Sequence, residues 1–414
     1  MHIILKQRPN IYNRYSKNEA LMTKILLSYI FILGLMGCAS REEPVDYLNQ
    51  NLPGATPVIF APDIVSLKGR FEHGISFTPD TRQLAFGTLN PSDFSGSIFY
   101  SEKISGKWTT PKIFKSLENK SVFLPYFTPD GESLLYAQSI ADTNNLYVTD
   151  IWRVKQENGG WGVPKKMHVP INSTSREANA SMTYDGSLYF SSNRNCQGIE
   201  NCSTADLFYS TMEDKTYQSA KGVSELNSPN DEESVFISPN EDYILFCRYT
   251  DDNSFVDLYI SYRDYHKQWT PAVALDAPIN SKDWDRRPFV SIDNKFLFFT
   301  RLQIGEKGLT ESDIYWTNTS KVFKPFVFHP LEDITVPLGE KFTLTLPSDY
   351  FKDIDNGNLV LDCNHDQFDW LTFDNKNMTL SGVPAYEGHF ELTFTAVDEF
   401  MNRTEDSISI SVTK

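Results

Sequence analysis

Short apolar runs separated by polar turns dominate this chain, and two of them are nearly the same: FTPDTRQLAF at 77–86 and FTPDGESLLY at 127–136. In each, one apolar strand ends, the chain turns through Pro-Asp, and a second apolar strand follows, as in a hairpin. Weaker copies are MTYDGSLYFSSNR from Met182, ISPNEDYILFCRY from Ile237 and VSIDNKFLFFTR from Val290. Aligned on the turn residue (Asp80, Asp130, Asp185, Asn240 and Asp293), they recur at spacings of 50, 55, 55 and 53 residues. Recurrence at such a period marks a repeat architecture.

Each hairpin is followed by a third apolar element: SIF at Ser97, DIW at Asp150, DLF at Asp206, DLY at Asp257 and DIY at Asp313. A fourth comes after it, at Trp108, Trp161, Tyr217, Trp269 and Phe323. Four short strands per repeat of this length predict the blade of a β-propeller, whose sheets bury their apolar faces on one another around a common axis. Five blades can be counted, and a sixth would need a blade without a readable turn. PVIFAPDIVS at 57–66 resembles the segments that end other blades, PKKMHVPINS and PAVALDAPINS, yet precedes the first. It is expected to supply the outermost strand of the last blade and so close the ring.

The repeat covers 56–328. At 329–414 the period gives way to alternating short strands, which predict a small β-sandwich. The fold class is therefore all-β, a five-bladed (or six-bladed) propeller followed by an Ig/cadherin-like sandwich.

The turn signature, close to Phe-Ser-Pro-Asp-Gly before an apolar strand, resembles the WD40-like repeats of the TolB type. Tyr184, Asn240 and Ile292 are departures from it. That resemblance implies a fold rather than an activity. In the C-terminal unit, Trp370-Leu371-Thr372-Phe373-Asp374, Leu380-Ser381-Gly382-Val383-Pro384 and Ala396-Val397-Asp398 resemble cadherin-like, immunoglobulin-type domains of bacterial surface proteins. Some members bind calcium at domain junctions, which points to Asp353, Asp355 and Asp398 as candidate ligands. Calcium takes six to eight oxygens, so this set is incomplete, and the aspartates also serve as turn formers.

Composition narrows the function classes. The formal charge of −16 over 414 residues argues against nucleic acid, which needs a basic face. Near the start, MTKILLSYIFILGLMGC (22–38) joins Lys24 to an apolar run too short for a permanent span. Its Leu-Met-Gly-Cys ending resembles a bacterial lipobox. That implies a signal at 1–37 (or a true start at Met22), lipidation at Cys38, a linker at 38–55 and an address in the cell envelope, at the outer membrane. Cys196 and Cys202 are expected to pair in an oxidising envelope, while Cys247 and Cys363 read as single thiols.

Chemistry is expected where the innermost strands begin, at the mouth of the channel. Five residues before the strand residue that precedes each turn stand Glu72, Val122, Glu177, Glu232 and Asp285, with His73, Arg176, Glu233, Arg286 and Arg287 beside them. Two readings are open. The acids and their neighbours could line a funnel for a ligand or cation, or each acid could accept hydrogen bonds from the adjacent Asn-Ser turns and lock blade to blade. The recurrent Asp150, Asp206, Asp257 and Asp313 read as structural. No Gly-x-Ser-x-Gly elbow, His-Glu-x-x-His or phosphate loop occurs. The function expected is a binding or scaffolding platform for an envelope protein or glycan. The alternative is a carbohydrate-active enzyme that uses channel-mouth carboxylates.

Overall fold

The structure, a computed structural model, describes residues 46–140, 148–196, 204–250, 255–306, 308–355 and 357–414. Among them, five antiparallel sheets follow one another, each with an inner, second, third and outer strand. The inner strands are Phe71–Phe77, Val122–Phe127, Glu177–Met182, Glu232–Ile237 and Trp284–Val290. Each packs against the next, and the fifth against the first, so the ring is closed. The fifth sheet takes its outer strand from the start of the domain. Val58–Ile59 pairs antiparallel with Gly308–Asn318, placing Val58 opposite Trp316 and Ile59 opposite Tyr315. This is the closure expected from 57–66, and it joins the two ends of the ring in one sheet.

The repeated turns hold themselves together through their own side chains. In the first, Thr78 Oγ1 donates to Asp80 Oδ1 at 2.6 Å, and that carboxylate accepts the Arg82 N–H at 3.1 Å. In the fifth, Ser291 Oγ donates to Asp293 Oδ1 at 2.6 Å in the same way. The fourth has Asn240 in place of the acid, and there Ser238 Oγ accepts the N–H groups of Asp242 and Tyr243 itself. The Pro-Asp signature is thus a local turn requirement.

One boundary differs from expectation. Residues 38–55 read as a linker, yet Tyr47 and Leu48 are buried in the propeller core. The Tyr47 ring meets Phe77, Phe296, Phe298 and Trp316 at centroid distances of 5.2–5.8 Å. It sits at the turn end of the channel, beside Pro79, Pro129 and Pro239. Polar neighbours in sequence hid a single aromatic anchor.

The C-terminal unit has one sheet of Ile334–Pro337, Arg403–Thr413, Gly388–Val397 and Val360–Cys363, and a second of Phe342–Thr345, Thr379–Gly382 and Leu371–Asp374. Leu380, Leu392, Phe394, Ile408 and Ile410 fill the core between them. Gly382 is required by close approach, because a Cβ there would lie 2.3 Å from the Trp370 carbonyl oxygen. The sandwich meets the propeller at its turn end. Phe326–Val327 pairs with Phe351–Lys352, and Asn402 Nδ2 donates to the Ser320 carbonyl at 2.9 Å.

Phe60 is fully buried on the closing segment, against Phe298 and Trp316 at 5.2 and 5.1 Å. Phe60→Ala is expected to cost about 3–5 kcal/mol, as large aromatic truncations in cores do, and deletion of 57–66 more still. Thermal melting checks both, and an unchanged curve would show that the ring closes without this strand.

Candidate functional site

The ring of acids is structural. Glu72, Glu177, Glu232 and Asp285 are fully buried, and none of them lines the cavity at the channel mouth. Ser173, Ser228 and Ser281, at the end of the loop arriving from the preceding blade, donate backbone N–H groups to Glu177, Glu232 and Asp285 at 2.9, 3.0 and 2.7 Å. Their hydroxyls donate to the same carboxylates. The asparagine just before each serine grips the preceding blade. Asn172, Asn227 and Asn280 accept from the N–H of Ile151, Leu207 and Leu258 at 2.8 Å. Of the two readings of the acids, the blade-to-blade lock is the one the geometry forms.

Arginine completes the lock. Arg70, Arg194, Arg248 and Arg301 pair with Glu72, Glu177, Glu232 and Asp285 at 2.6, 3.2, 2.7 and 2.7 Å. Arg194, Arg248 and Arg301 also donate to the carbonyls of Ile171, Leu226 and Ile279 in the loop. Each guanidinium lies over two rings of its own blade, such as Phe246 and Tyr259 at 5.4 and 4.8 Å from Arg248. The second blade lacks both partners together: Val122 stands opposite Gln138, where Glu232 stands opposite Arg248. Burial outweighs the arginine for some of these acids. It pushes Glu72 up to about 7 and Asp285 up to about 6.

The cavity is built largely by the next two residues of the inner strands, Gly74 and Ser234 alone of these standing outside its lining. Each strand slips register there, and the second residue after the acid position is left-handed in all five: Gly74, Leu124, Asn179, Ser234 and Arg287, with φ of 76, 61, 55, 58 and 60°. A bulge of this kind re-aims side chains. For the four residues that are not glycine, this backbone costs on the order of 1–3 kcal/mol each. The result is a cavity of about 430 Å³ whose lining includes His73, Phe123, Leu124, Ala178, Asn179, Glu233, Arg286 and Arg287, along with Arg176, Tyr249 and Trp284.

Its charge is concentrated on the last three blades. Glu233 accepts from Arg176 and, at 2.9 Å, from Arg286, with Arg287 3.7 Å away. Arg286 also donates to the Tyr249 hydroxyl at 2.7 Å. Arg287 donates through Nε to His73 Nε2 at 3.2 Å, and through Nη1 to Ser234 Oγ at 2.7 Å and to Asn179. Burial and the neighbouring arginines hold His73 well below the usual histidine range, so it stays neutral. Burial and Arg286 likewise pull Arg287 down, although a guanidinium remains charged. Three guanidiniums face one carboxylate in a chain whose overall charge is −16.

Of the expected site residues, His73, Glu233, Arg286 and Arg287 therefore line the cavity, while Glu72, Glu177, Glu232 and Asp285 are placed one residue out of register and turned to the lock. Asn179, Tyr249 and Trp284 were missed in sequence. Reading the two positions after each acid would have found Asn179. Tyr249 and Trp284 offer no repeat signal of their own.

The other candidates are placed as follows. Asp398 accepts from the Asn402 N–H and Nδ2 at 2.7 and 2.6 Å, and Asp355 N–H donates to Asp353 Oδ1 at 3.4 Å. Burial and the neighbouring carboxylates, Asp398 among them, push Asp353 and Asp355 up, while among the described residues no group of three His, Cys, Asp or Glu is arranged to hold a metal ion. Cys196 is disulfide-bonded, while Cys202 and Cys38 lie outside the described residues. Cys247 and Cys363 are free and buried.

Residues 324–413 match the family described as "Putative Ig domain". No curated protein matches the chain. Among solved structures, the chain is similar to a putative TolB from Agrobacterium tumefaciens at 10% identity, over 65% of this chain and 99% of that one, with a TM-score of 0.39. It is similar to a glycoside hydrolase at 10% identity, over 68% and 95%, with a TM-score of 0.43. A thermostable family-43 glycoside hydrolase gives 11% identity over 62% and 91%, with a TM-score of 0.41. These likenesses assign no activity, and the chemistry rests on the cavity itself.

Two predictions follow from the lock. Glu232→Ala leaves the half-buried Arg248 and the Ser228 donors without their acceptor and is expected to cost about 3 kcal/mol. Changing Glu232→Val together with Arg248→Gln copies Val122 and Gln138 and is expected to recover most of that loss in chemical denaturation. A double variant no better than the single would sink the account. The second concerns pH. The Glu72 value in the folded protein, about 7, lies above its ordinary 4.5, so folding favours the protonated acid. Its contribution is full below the ordinary value and is lost as pH rises through about 7. Melting temperature should therefore gain less on acidification from pH ~7.5 to ~5 in Glu72→Gln than in the wild type, and equal gains would refute this.

Proposed function

We propose that this chain is a binding module of the bacterial cell envelope that takes a glycan at the channel mouth without turning it over. The observation that carries this reading is the build of the cavity: five bulges, four of them strained, bring aromatic and charged side chains into one concave space. At about 430 Å³ it falls in the range of small-ligand sites, roughly 300–1,000 Å³. Trp284 and Tyr249 stand edge to face at 5.6 Å, with Phe123 also in the lining, giving apolar surfaces on which a sugar ring can lie. A protein partner would call instead on a broad face of about 800 Å².

The rival reading, a glycoside-cleaving enzyme, relied on channel carboxylates. Such chemistry needs two carboxyl groups about 5–10 Å apart across the bond. The four ring acids are committed to the lock. Among the described residues, Glu233 is the one carboxylate in the cavity lining, and arginines hold it in place. The envelope address rests on the 22–38 leader, with Cys38 as the anchor. Within the ring, the cavity opens at the end away from Tyr47 and the turns.

The test is binding of the mature chain to a panel of polysaccharides, with release of reducing ends followed in parallel. Trp284→Ala is expected to weaken capture about 10-fold or more, as loss of an aromatic anchor does, with no product formed. Cleavage abolished by Glu233→Gln would establish the enzyme instead, and capture indifferent to Trp284 would remove the cavity from the account.

A further inference from the structure

We infer that the glycan is acidic, bearing a carboxylate that the cavity arginines recognise. This deepens the reading just given and rests on it. The inference comes from which polar atoms the protein leaves unused. Among the described lining residues, three buried polar atoms have no hydrogen-bond partner: Arg176 Nε, Arg286 Nε and His73 Nδ1. All three are donors. The guanidinium nitrogens can only donate. His73 accepts from Arg287 on Nε2, which in the neutral ring places the proton on Nδ1. No acceptor of the lining is left over in the same way.

A neutral sugar offers hydroxyls, each a donor as well as an acceptor, and would satisfy such a set without preference. A carboxylate offers acceptors only, along with the charge the site lacks. Glu233 answers one of the three guanidiniums' charges, so a single bound carboxylate still leaves the lining positive. His73 and Arg286 are more than nine-tenths buried, which strengthens their bonds to an anion and makes it costly to leave their donors empty. The ligand class is therefore a uronic-acid-containing oligosaccharide, its carboxylate toward Arg176 and Arg286.

Calorimetric titration of the intact mature chain distinguishes the alternatives with three probes of equal length: a uronic-acid oligosaccharide, the same after carboxyl reduction, and a sulfated neutral oligosaccharide. The acidic form is expected to bind at least about 10-fold tighter than the reduced one, and to weaken as salt is raised. Arg286→Gln is expected to erase that preference, bringing the acidic and reduced forms to about equal affinity. Arg176→Gln, at a less buried site, serves if Arg286→Gln melts early. Equal affinity for the reduced form overturns this inference and leaves glycan binding standing. Preference for the sulfated probe overturns the carboxylate assignment. Binding of none of the three overturns the inference together with the glycan reading.

Discussion

The constraint on which the ring depends is the burial of a carboxylate between two blades. An isolated charge there would cost several kcal/mol, and the chain answers it from three directions. A serine from the incoming loop donates twice, an arginine from the same blade donates as well, and two aromatic rings lie against that arginine. Because the serine belongs to the loop leaving one blade and the acid to the strand opening the next, satisfying the charge and setting the spacing between blades are one event. The preceding asparagine ties the same loop to the third strand of its own blade. A propeller blade has few long-range contacts beyond its neighbours, so a polar lock of this kind supplies register where apolar packing alone would allow sliding.

The same arrangement explains why the repeat is imperfect. Val122 and Gln138 replace acid and arginine together, leaving neither charge stranded. In the first blade, Thr88 stands opposite Glu72, and the guanidinium comes from Arg70 on the approach to the strand. In the third, Ser192 faces Glu177 and Arg194 reaches back. What persists is a guanidinium at the carboxylate, and its sequence position moves.

Most of the architecture was readable because its rules are local. Thr-Pro-Asp turns bond to their own side chains, so FTPD at 77–80 and 127–130 announces itself without knowledge of the rest. The closing strand at Val58–Ile59 was readable because it resembles other blade ends. The site was harder to place. Acids at one register in four blades gave the stronger periodic signal, yet that register belongs to the lock. Strand alternation alone would send the next residue to the channel and the one after it away again. The bulge sends both to the cavity in the second, third and fifth blades, and no residue type signals it: Gly, Leu, Asn, Ser and Arg all occupy the left-handed position. Tyr47 was lost for a related reason, since one aromatic among polar neighbours has no period.

That indifference to residue type is what allows a symmetric ring to make an asymmetric site. At the two positions after the acid register, the second blade contributes Phe123 and Leu124, the third Ala178 and Asn179, the fourth Glu233 and Ser234, and the fifth Arg286 and Arg287. With Arg176 on the approach to the third strand, the charge collects over the third, fourth and fifth blades, and the second presents carbon. The bulge geometry is the same in all five blades, the second included, while the side chains displayed upon it vary freely. A ligand entering such a mouth meets a fixed frame with one charged wall and one apolar wall, so its orientation is decided before any contact tightens. The strain at Leu124 and Arg287 is then a property of the frame, since the other blades make the same bend at the same position.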